Sequence, residues 1–362
     1  MPTAADPALE TLMLPFAEGR LAWPGDGGAL FLGARDGWPL HARPLPGLRC
    51  EQDWKPEAEA LVRAGFDVSD ADDDDRRYPL VLLLPPRQRE QARTQMADGL
   101  ARLAPGGTLV ACMPNKEGAK SGEADLARLA GALQTGLLQT MSKQHCRVFW
   151  TAPLPAPPAS ANGDPALVQA WRALDAPRRI EDARVPGGSF LSRPGVFAWD
   201  RIDPASLLLA EHLPADLKGH VADLGAGWGY LAGQLMGRCP GVTAIDLYEA
   251  DARALQLARD NLAAWGASVP LQFLWHDVAA GLPRRYDAIV CNPPFHAQGS
   301  RERVDIGRAF LVAAASALAP GGRLWLVANR HLPYEAILDA SFGSVRSVAQ
   351  RDGFKVIEAV AR

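Results

Sequence analysis

Short unbroken apolar runs alternate along this chain with longer segments whose apolar positions recur every three or four residues. Residues 29–33, 78–84 and 108–113 are such runs in the first half. Residues 220–224, 242–245, 271–275, 288–291 and 324–327 are their counterparts in the second. A strand apolar on both faces marks a parallel sheet covered by helices on both sides. Segments 57–64, 91–103, 123–138, 202–213 and 310–318 have helical spacing, carried for example by Met96, Leu100 and Leu103, or by Leu126, Leu129, Leu133 and Leu137. Strand and helix in alternation predict an α/β fold. Ala104-Pro-Gly-Gly107 and Ala319-Pro-Gly-Gly322 read as helix stops, and residues 352–360 as a final hairpin strand.

The two halves echo each other. Tyr78-Pro-Leu-Val-Leu-Leu-Leu-Pro-Pro86 aligns with Tyr286-Asp-Ala-Ile-Val-Cys-Asn-Pro-Pro294, and the two Pro-Gly-Gly turns align once a few extra residues are allowed after the second Pro-Pro. Phe31-Leu-Gly-Ala-Arg35 echoes Asp223-Leu-Gly-Ala-Gly227. The proline-rich segment 151–160 is an extended linker. The expected organisation is a first domain over 1–155, a linker over 156–195 and a second domain over 196–362.

The differences between the copies locate the chemistry. In the second, an apolar strand ends at Asp223 and turns through Gly225, Gly227 and Gly229 into a helix near Tyr230. Glycines let a backbone approach a ligand closely, and a helix N-terminus offers free N–H donors. No Gly-Lys-Ser/Thr follows, so this is not a phosphate cradle of the P-loop kind. Asp223 would repel a pyrophosphate and suits a cationic or zwitterionic cofactor, a description that S-adenosylmethionine fits. About twenty residues after Gly225, the next strand ends near Asp246, at the spacing of an acid that accepts from both ribose hydroxyls. Asp277, after the third strand, can accept from an adenine amine or simply cap a helix.

The fourth strand runs into Asn292-Pro-Pro-Phe295. The Asn292 side-chain oxygen and the Pro293 carbonyl can accept from the hydrogens of an exocyclic amine and aim its lone pair at a methyl donor. The prolines stiffen this rim, and Phe295 can stack on an unstacked base. Read alone, the same residues are a buried turn with a core Phe. His296 reads as a neutral loop histidine. Arg330 and His331 are candidates for RNA phosphate, as is the arginine-rich stretch 171–201, which also reads as a solvated connector. The first copy has Leu84 for Asn292, Arg87 for Phe295, Phe31 for Asp223 and Arg35 for the second glycine. It keeps the scaffold without the chemical groups.

Composition narrows this little. The 362 residues, 48% hydrophobic and 22% charged, suit two soluble domains. A net charge of -3 gives no global basic footprint, though local patches matter more than the sum. The run Asp70-Ala-Asp-Asp-Asp-Asp75 reads as a solvated loop rather than a metal cage. Five scattered cysteines imply neither disulfides nor a metal site. With no secretory leader pattern and no long apolar run, the expected location is cytoplasmic, with no membrane partner.

Val221-Ala-Asp-Leu-Gly-Ala-Gly-Trp-Gly229 and Asn292-Pro-Pro-Phe-His296 resemble class I S-adenosylmethionine methyltransferases that act on amino groups. Pro194-Gly-Val-Phe197, Ile202-Asp203, residues 327–334 and Phe354-Lys-Val356 narrow the resemblance to bacterial 16S ribosomal RNA guanine-N2 methyltransferases of the RsmC type, with RlmG, acting on 23S RNA, similar in much of this pattern. The resemblance covers mainly residues 190–362. It implies two tandem Rossmann-like methyltransferase domains from an internal duplication, the first degenerate and serving structure or RNA recognition. It also implies S-adenosylmethionine as cofactor, held by the Asp223 loop, Asp246 and Asp277, and catalysis at Asn292, Pro293 and Phe295. Ribosomal RNA or the small ribosomal subunit would be the partner, and a duplicated chain can remain a monomer. Trp228 departs from the usual loop and would narrow the cofactor pocket. An amino methyltransferase with another target (23S guanine, adenine or a protein glutamine) and a non-catalytic ribosome-binding module are the competing readings.

Overall fold

The computed structural model describes residues 6–26, 28–69, 76–155, 165–265, 268–294, 301–332 and 334–362. The chain divides into two compact units, residues 1–176 and 177–362. In the first, strands β1 (Ala29–Leu32), β2 (Leu48–Glu51), β3 (Asp67–Val68), β4 (Tyr78–Leu83), β5 (Leu103–Pro114), β6 (Gln139–Lys143) and β7 (Cys146–Trp150) form one sheet in the order β3-β2-β1-β4-β5-β7-β6. In the second, a two-stranded ribbon of β8 (Arg178–Glu181) and β9 (Ser189–Ser192) precedes the sheet. Strands β10 (Lys218–Leu224), β11 (Gly241–Glu249), β12 (Leu271–Trp275), β13 (Tyr286–Cys291), β14 (Leu318–Asn329), β15 (Ser344–Arg351) and β16 (Phe354–Val360) then run in the order β12-β11-β10-β13-β14-β16-β15.

The two orders are the same topology written twice. In each, the first five strands pair in parallel and the last two close one edge as an antiparallel hairpin. The registers agree too: Phe31 lies opposite Leu82 as Asp223 lies opposite Val290. Each sheet carries an apolar core on both faces, and Val81, Leu82, Ile289 and Val290 are fully buried. This is why their strands read as unbroken apolar runs. The duplication expected from the sequence is therefore a duplication of fold, with Rossmann-like sheets in both copies.

Several local expectations differ from the structure. The Pro-Gly-Gly segments do not stop helices. The preceding helices end at Ala101 and Ala317, and the segments belong to β5 and β14, where each strand shifts register against its neighbour. The helix expected at 123–138 is Ala119–Ala132, and Leu137, beyond it, is 91% exposed. The hairpin β6–β7 escaped the reading because Gln139–Lys143 is mostly polar and exposed. Within the expected linker, Pro165–Arg172 is a helix whose Val168 and Trp171 join the core of the first unit, and β8 and β9 belong to the second. The Asp70–Asp75 run lies outside the described residues. Among the described residues no helix is long and apolar enough to cross a membrane.

Candidate functional site

In the second unit a cleft, about 450 Å³ with its open mouth included, lies at the carboxyl ends of β10 and β13, where an open parallel sheet binds its ligands. Three segments line it. Gly225, Ala226, Gly227 and Trp228 come from the turn after β10, and Asn292 from the end of β13. Phe197, Asp203 and Ser206 lead into and begin the helix Pro204–His212.

The turn after β10 has the glycines its backbone requires. Gly225 and Gly227 sit at φ +73° and +56°, in the left-handed region. A Cβ on Gly225 would point towards the Asn292 carbonyl and the Phe310 ring, so glycine here keeps the two loops close without filling the space between them. Trp228 forms part of the wall. Its ring stacks on Phe190 of β9 at 3.9 Å and 7°, and Asn261 binds its carbonyl at 2.9 Å while bonding Leu191. The indole is thus tied back onto the ribbon.

Asp223 is fully buried beneath this turn. One carboxylate oxygen accepts from the Ala232 N–H at 3.0 Å, and the other has no partner among the described residues. It does not line the cavity, so its influence on a ligand passes through space. Burial pushes its pKa up to about 7, against the lowering effect of the Ala232 bond.

Asp246, expected at the end of its strand beside a ribose, does not line this cavity. It lies inside β11, three residues before its end, and is 1% exposed. His220 Nε2 meets one of its oxygens at 3.0 Å, while Arg284 and the Tyr286 hydroxyl donate to the other at 3.0 and 2.8 Å. The Tyr248 hydroxyl extends the network to Tyr286 at 2.5 Å. Asp246 is a buried charge whose partners compensate its burial.

The acid at the end of β11 is Glu249. One oxygen accepts from the Gly227 N–H and the other from the Asp251 N–H, both at 2.8 Å. Burial pushes it up to about 7. The first copy confirms the correspondence. There Ala34 N–H donates to the Glu51 carbonyl as Ala226 N–H does to that of Tyr248, and the next residue is Gln52. The Gln52 side-chain Oε1 accepts from the Trp54 N–H two residues on, as Glu249 does from Asp251, but its Nε2 donates to the Ala34 backbone carbonyl at 2.7 Å. A neutral amide in the first copy replaces a carboxylate in the second.

Asn292 is half-buried, and both hydrogens of its Nδ2 are taken. One goes to Asp203 at 2.9 Å, the other to the Ser206 hydroxyl oxygen at 2.7 Å. A flipped amide would set an oxygen against the Asp203 carboxylate, so the network fixes the orientation. The side chain has only Oδ1, an acceptor, left for a ligand. Pro293 behind it is buried, and Phe295 and His296 lie outside the described residues. Asp277, after β12, is half-buried and caps the short helix Val278–Ala280 through Ala279, which leaves acceptor capacity for a ligand. Arg330 and His331 are exposed at the end of β14.

Sequence reasoning placed Gly225, Gly227 and Asn292 together correctly as neighbours of one cavity. It did not single out Glu249, which bonds the Gly227 N–H, or Asp203 and Ser206, which line the cavity. A signal for Asp203 was present: Asp6-Pro7-Ala8 and Asp203-Pro204-Ala205 cap the first helix of each copy. In the first copy Asp6 is paired with Arg35 at 3.3 Å, and Leu9 and Leu84 stand buried where the second has Ser206 and Asn292. The polar groups of the site are replaced there by an ion pair and two leucines.

The family model of the methyltransferase small domain matches residues 187–358. Ribosomal RNA small subunit methyltransferase C of Pseudomonas paraeruginosa is 34% identical over 274 residues, 76% of this chain and 76% of that relative. The protein of the same name from Yersinia pestis is 31% identical over 274 residues, 76% of this chain and 72% of that relative. Among solved structures, the T. thermophilus 16S rRNA N2 methyltransferase RsmC, in complex with AdoMet and guanosine, aligns with a TM-score of 0.79 and 26% identity. It covers all of this chain and 94% of its own.

Proposed function

The chain belongs to the ribosomal RNA small subunit methyltransferase C family, and from that premise we infer that it transfers a methyl group from S-adenosylmethionine to the exocyclic N2 amine of a guanine in 16S ribosomal RNA. The observation that carries this reading is the Asn292 amide, held so that only an acceptor meets the cavity. An N2 amine is a donor with a poorly available lone pair. An acceptor on its hydrogen favours a pyramidal nitrogen with the lone pair turned away from the ring.

The residues suit the cofactor. Glu249 at the end of β11, bonded by the N–H groups of Gly227, Ala250 and Asp251, keeps some acceptor capacity for a ribose hydroxyl, and the glycine turn offers close approach. Asp277 is the acceptor proposed for the adenine amine. Two acids with raised pKa, Asp223 and Glu249, flank a site for a cation. When bound, S-adenosylmethionine supplies a methyl group made electrophilic by its sulfonium sulfur. The chain's task is to bring the amine into line with that methyl and hold it there. Asn292 Oδ1 and the Pro293 carbonyl are the proposed acceptors, Phe295 the proposed stacking partner of the base. Displacement leaves a proton to be shed from the methylated nitrogen, and solvent suffices for that.

The test is methyl transfer itself. Purified protein with radiolabelled S-adenosylmethionine is expected to label 16S ribosomal RNA, naked or in small subunits, and the RNA of a deletion strain to lack one N2-methylguanosine. No labelled guanine in either substrate would reject the reading. Calorimetry is expected to give one cofactor site per chain, because the first copy has Phe31, Arg35 and Gln52 where the second has Asp223, Gly227 and Glu249. Two sites would reject that account.

Cofactor affinity is expected to rise with pH. Protonated Asp223 and Glu249 give less attraction to a cation, so binding favours their ionised forms and releases protons. Affinity should fall as pH drops below about 7, by up to about tenfold per unit for each proton taken up. The sign for folding is opposite: carboxyls with raised folded-state pKa make the free protein lose stability as pH rises from the ordinary carboxylate range to about 7. A flat affinity profile from pH 6 to 8 would contradict the assignment.

A further inference from the structure

Asp203 carries two bonds on one oxygen. Its Oδ2 accepts from the Ser206 N–H at 2.8 Å, capping the helix Pro204–His212, and from Asn292 Nδ2 at 2.9 Å. Ser206, one turn in, brings its hydroxyl oxygen to the other Nδ2 hydrogen. Asp203 is 9% exposed and lines the cavity. The capping geometry alone needs none of this. Asp6, at the equivalent cap in the first copy, accepts from Ala8 and Leu9 N–H and turns its other oxygen to Arg35. Leu9, at the place of Ser206, has no polar group to offer, and Leu84, at the place of Asn292, none to receive. The cap is common to both copies, whereas the acceptor pair facing Asn292 belongs to the copy with the cavity.

We propose that Asp203 and Ser206 are positioning residues that lock the Asn292 amide with its oxygen towards the substrate, so that the site accepts a nucleophile bearing N–H hydrogens and refuses one that can only accept. The proposal rests on the reading of Asn292 as the acceptor for the target amine. Neither residue touches the reacting atoms. With both removed, the amide is free to rotate, and in the flipped state its NH2 opposes the amine hydrogens. The helix N-terminus serves as a fixed mount, since the same carboxylate oxygen that satisfies its backbone also fixes the amide.

The test separates the cap from the lock. Asp203→Ser keeps a capping oxygen, because serine caps about as well as aspartate, but its shorter side chain does not reach Asn292. Ser206→Ala removes the second acceptor and leaves the backbone alone. The double variant is expected to lose roughly 10–100-fold in kcat, with KM for the RNA and the S-adenosylmethionine dissociation constant within about threefold of wild type. Asp203→Asn, whose amide oxygen still accepts, is expected to recover most of that turnover when Ser206 is intact. Asp6→Ser, the same change at the first copy's cap, should leave kcat unchanged. Wild-type kcat in the double variant overturns the proposal, as does a fall in cofactor affinity that matches the fall in kcat. Should the double variant melt before assay, Ser206→Ala alone decides, with a several-fold loss of kcat supporting the lock and unchanged kcat opposing it. Asn292→Ala tells the two levels apart: full turnover there would remove the underlying reading, whereas its loss alongside a fully active double variant would remove only the lock.

Discussion

Asn292→Ala is expected to bind S-adenosylmethionine within a few-fold of wild type and to lose methyl transfer by about 10²–10³-fold, the usual cost of deleting one preorganised polar contact to the reacting group. The split follows from where its bonds go. The Asn292 side chain is tied to Asp203 and Ser206, on the helix entering the site, and none of its hydrogen bonds reach Glu249 or the glycine turn. Removing it leaves the proposed cofactor contacts standing and withdraws the side-chain acceptor proposed for the amine. Asp203 and Ser206 then face the space left by the amide and can take water there. Single-turnover rates with saturating cofactor, beside calorimetry of cofactor binding, measure both halves. Loss of cofactor binding would mean that Asn292 belongs to the cofactor site instead.

The second large effect concerns two acids on one strand. Asp246→Ala is expected to destabilise the second unit by about 3 kcal/mol, the low end for breaking a buried charge network, since Arg284 is 45% exposed and can turn to solvent. His220 and the Tyr286 hydroxyl lose their partner in the sheet's interior. Cofactor affinity of the folded fraction should stay unchanged. Glu249→Ala should do the reverse. It withdraws charge-assisted bonds proposed for the ribose, worth roughly 1.5–3 kcal/mol or about 10–150-fold in the dissociation constant. Stability should change little, because a desolvated carboxyl goes with it. Urea unfolding and calorimetry on both variants give four numbers. Weakened cofactor binding in folded Asp246→Ala, with none in Glu249→Ala, would restore Asp246 to the site.

These two acids show where sequence reading stops. Asp246 and Glu249 are three residues apart on β11, and both fall within reach of the spacing expected after the first glycine of the turn. The apolar run ends at Ile245, which made Asp246 look like the strand's end. In the fold the strand runs on through Leu247 and Tyr248, both fully buried, and only its last residue reaches the carboxyl edge. A buried, compensated aspartate inside a strand has the same one-letter appearance as a ligand-binding one at its tip. The compensating partners, His220, Arg284 and Tyr286, come from other strands and loops and show no local pattern. The proline turns misled in a similar way, since Pro-Gly-Gly breaks a helix as readily as it bends a strand.

The sequence by itself determined the α/β class, the duplication, the loss of the polar groups from the first copy and the neighbourhood of the glycine turn and Asn292. Each of these follows from contiguous pattern: apolar runs set strands, glycines at positive φ set the turn, and parallel strands bring their carboxyl ends to one edge. Only the tertiary structure decided which acid stands at that edge and which way the Asn292 amide faces. It also decided that Arg35 pairs with Asp6 and that Leu9 and Leu84 are buried in the first copy. Those outcomes depend on hydrogen-bond partners that are distant in sequence, such as Asp203 with Asn292, and on burial, which assigns one role to a carboxylate inside a strand and another to a carboxylate at its end.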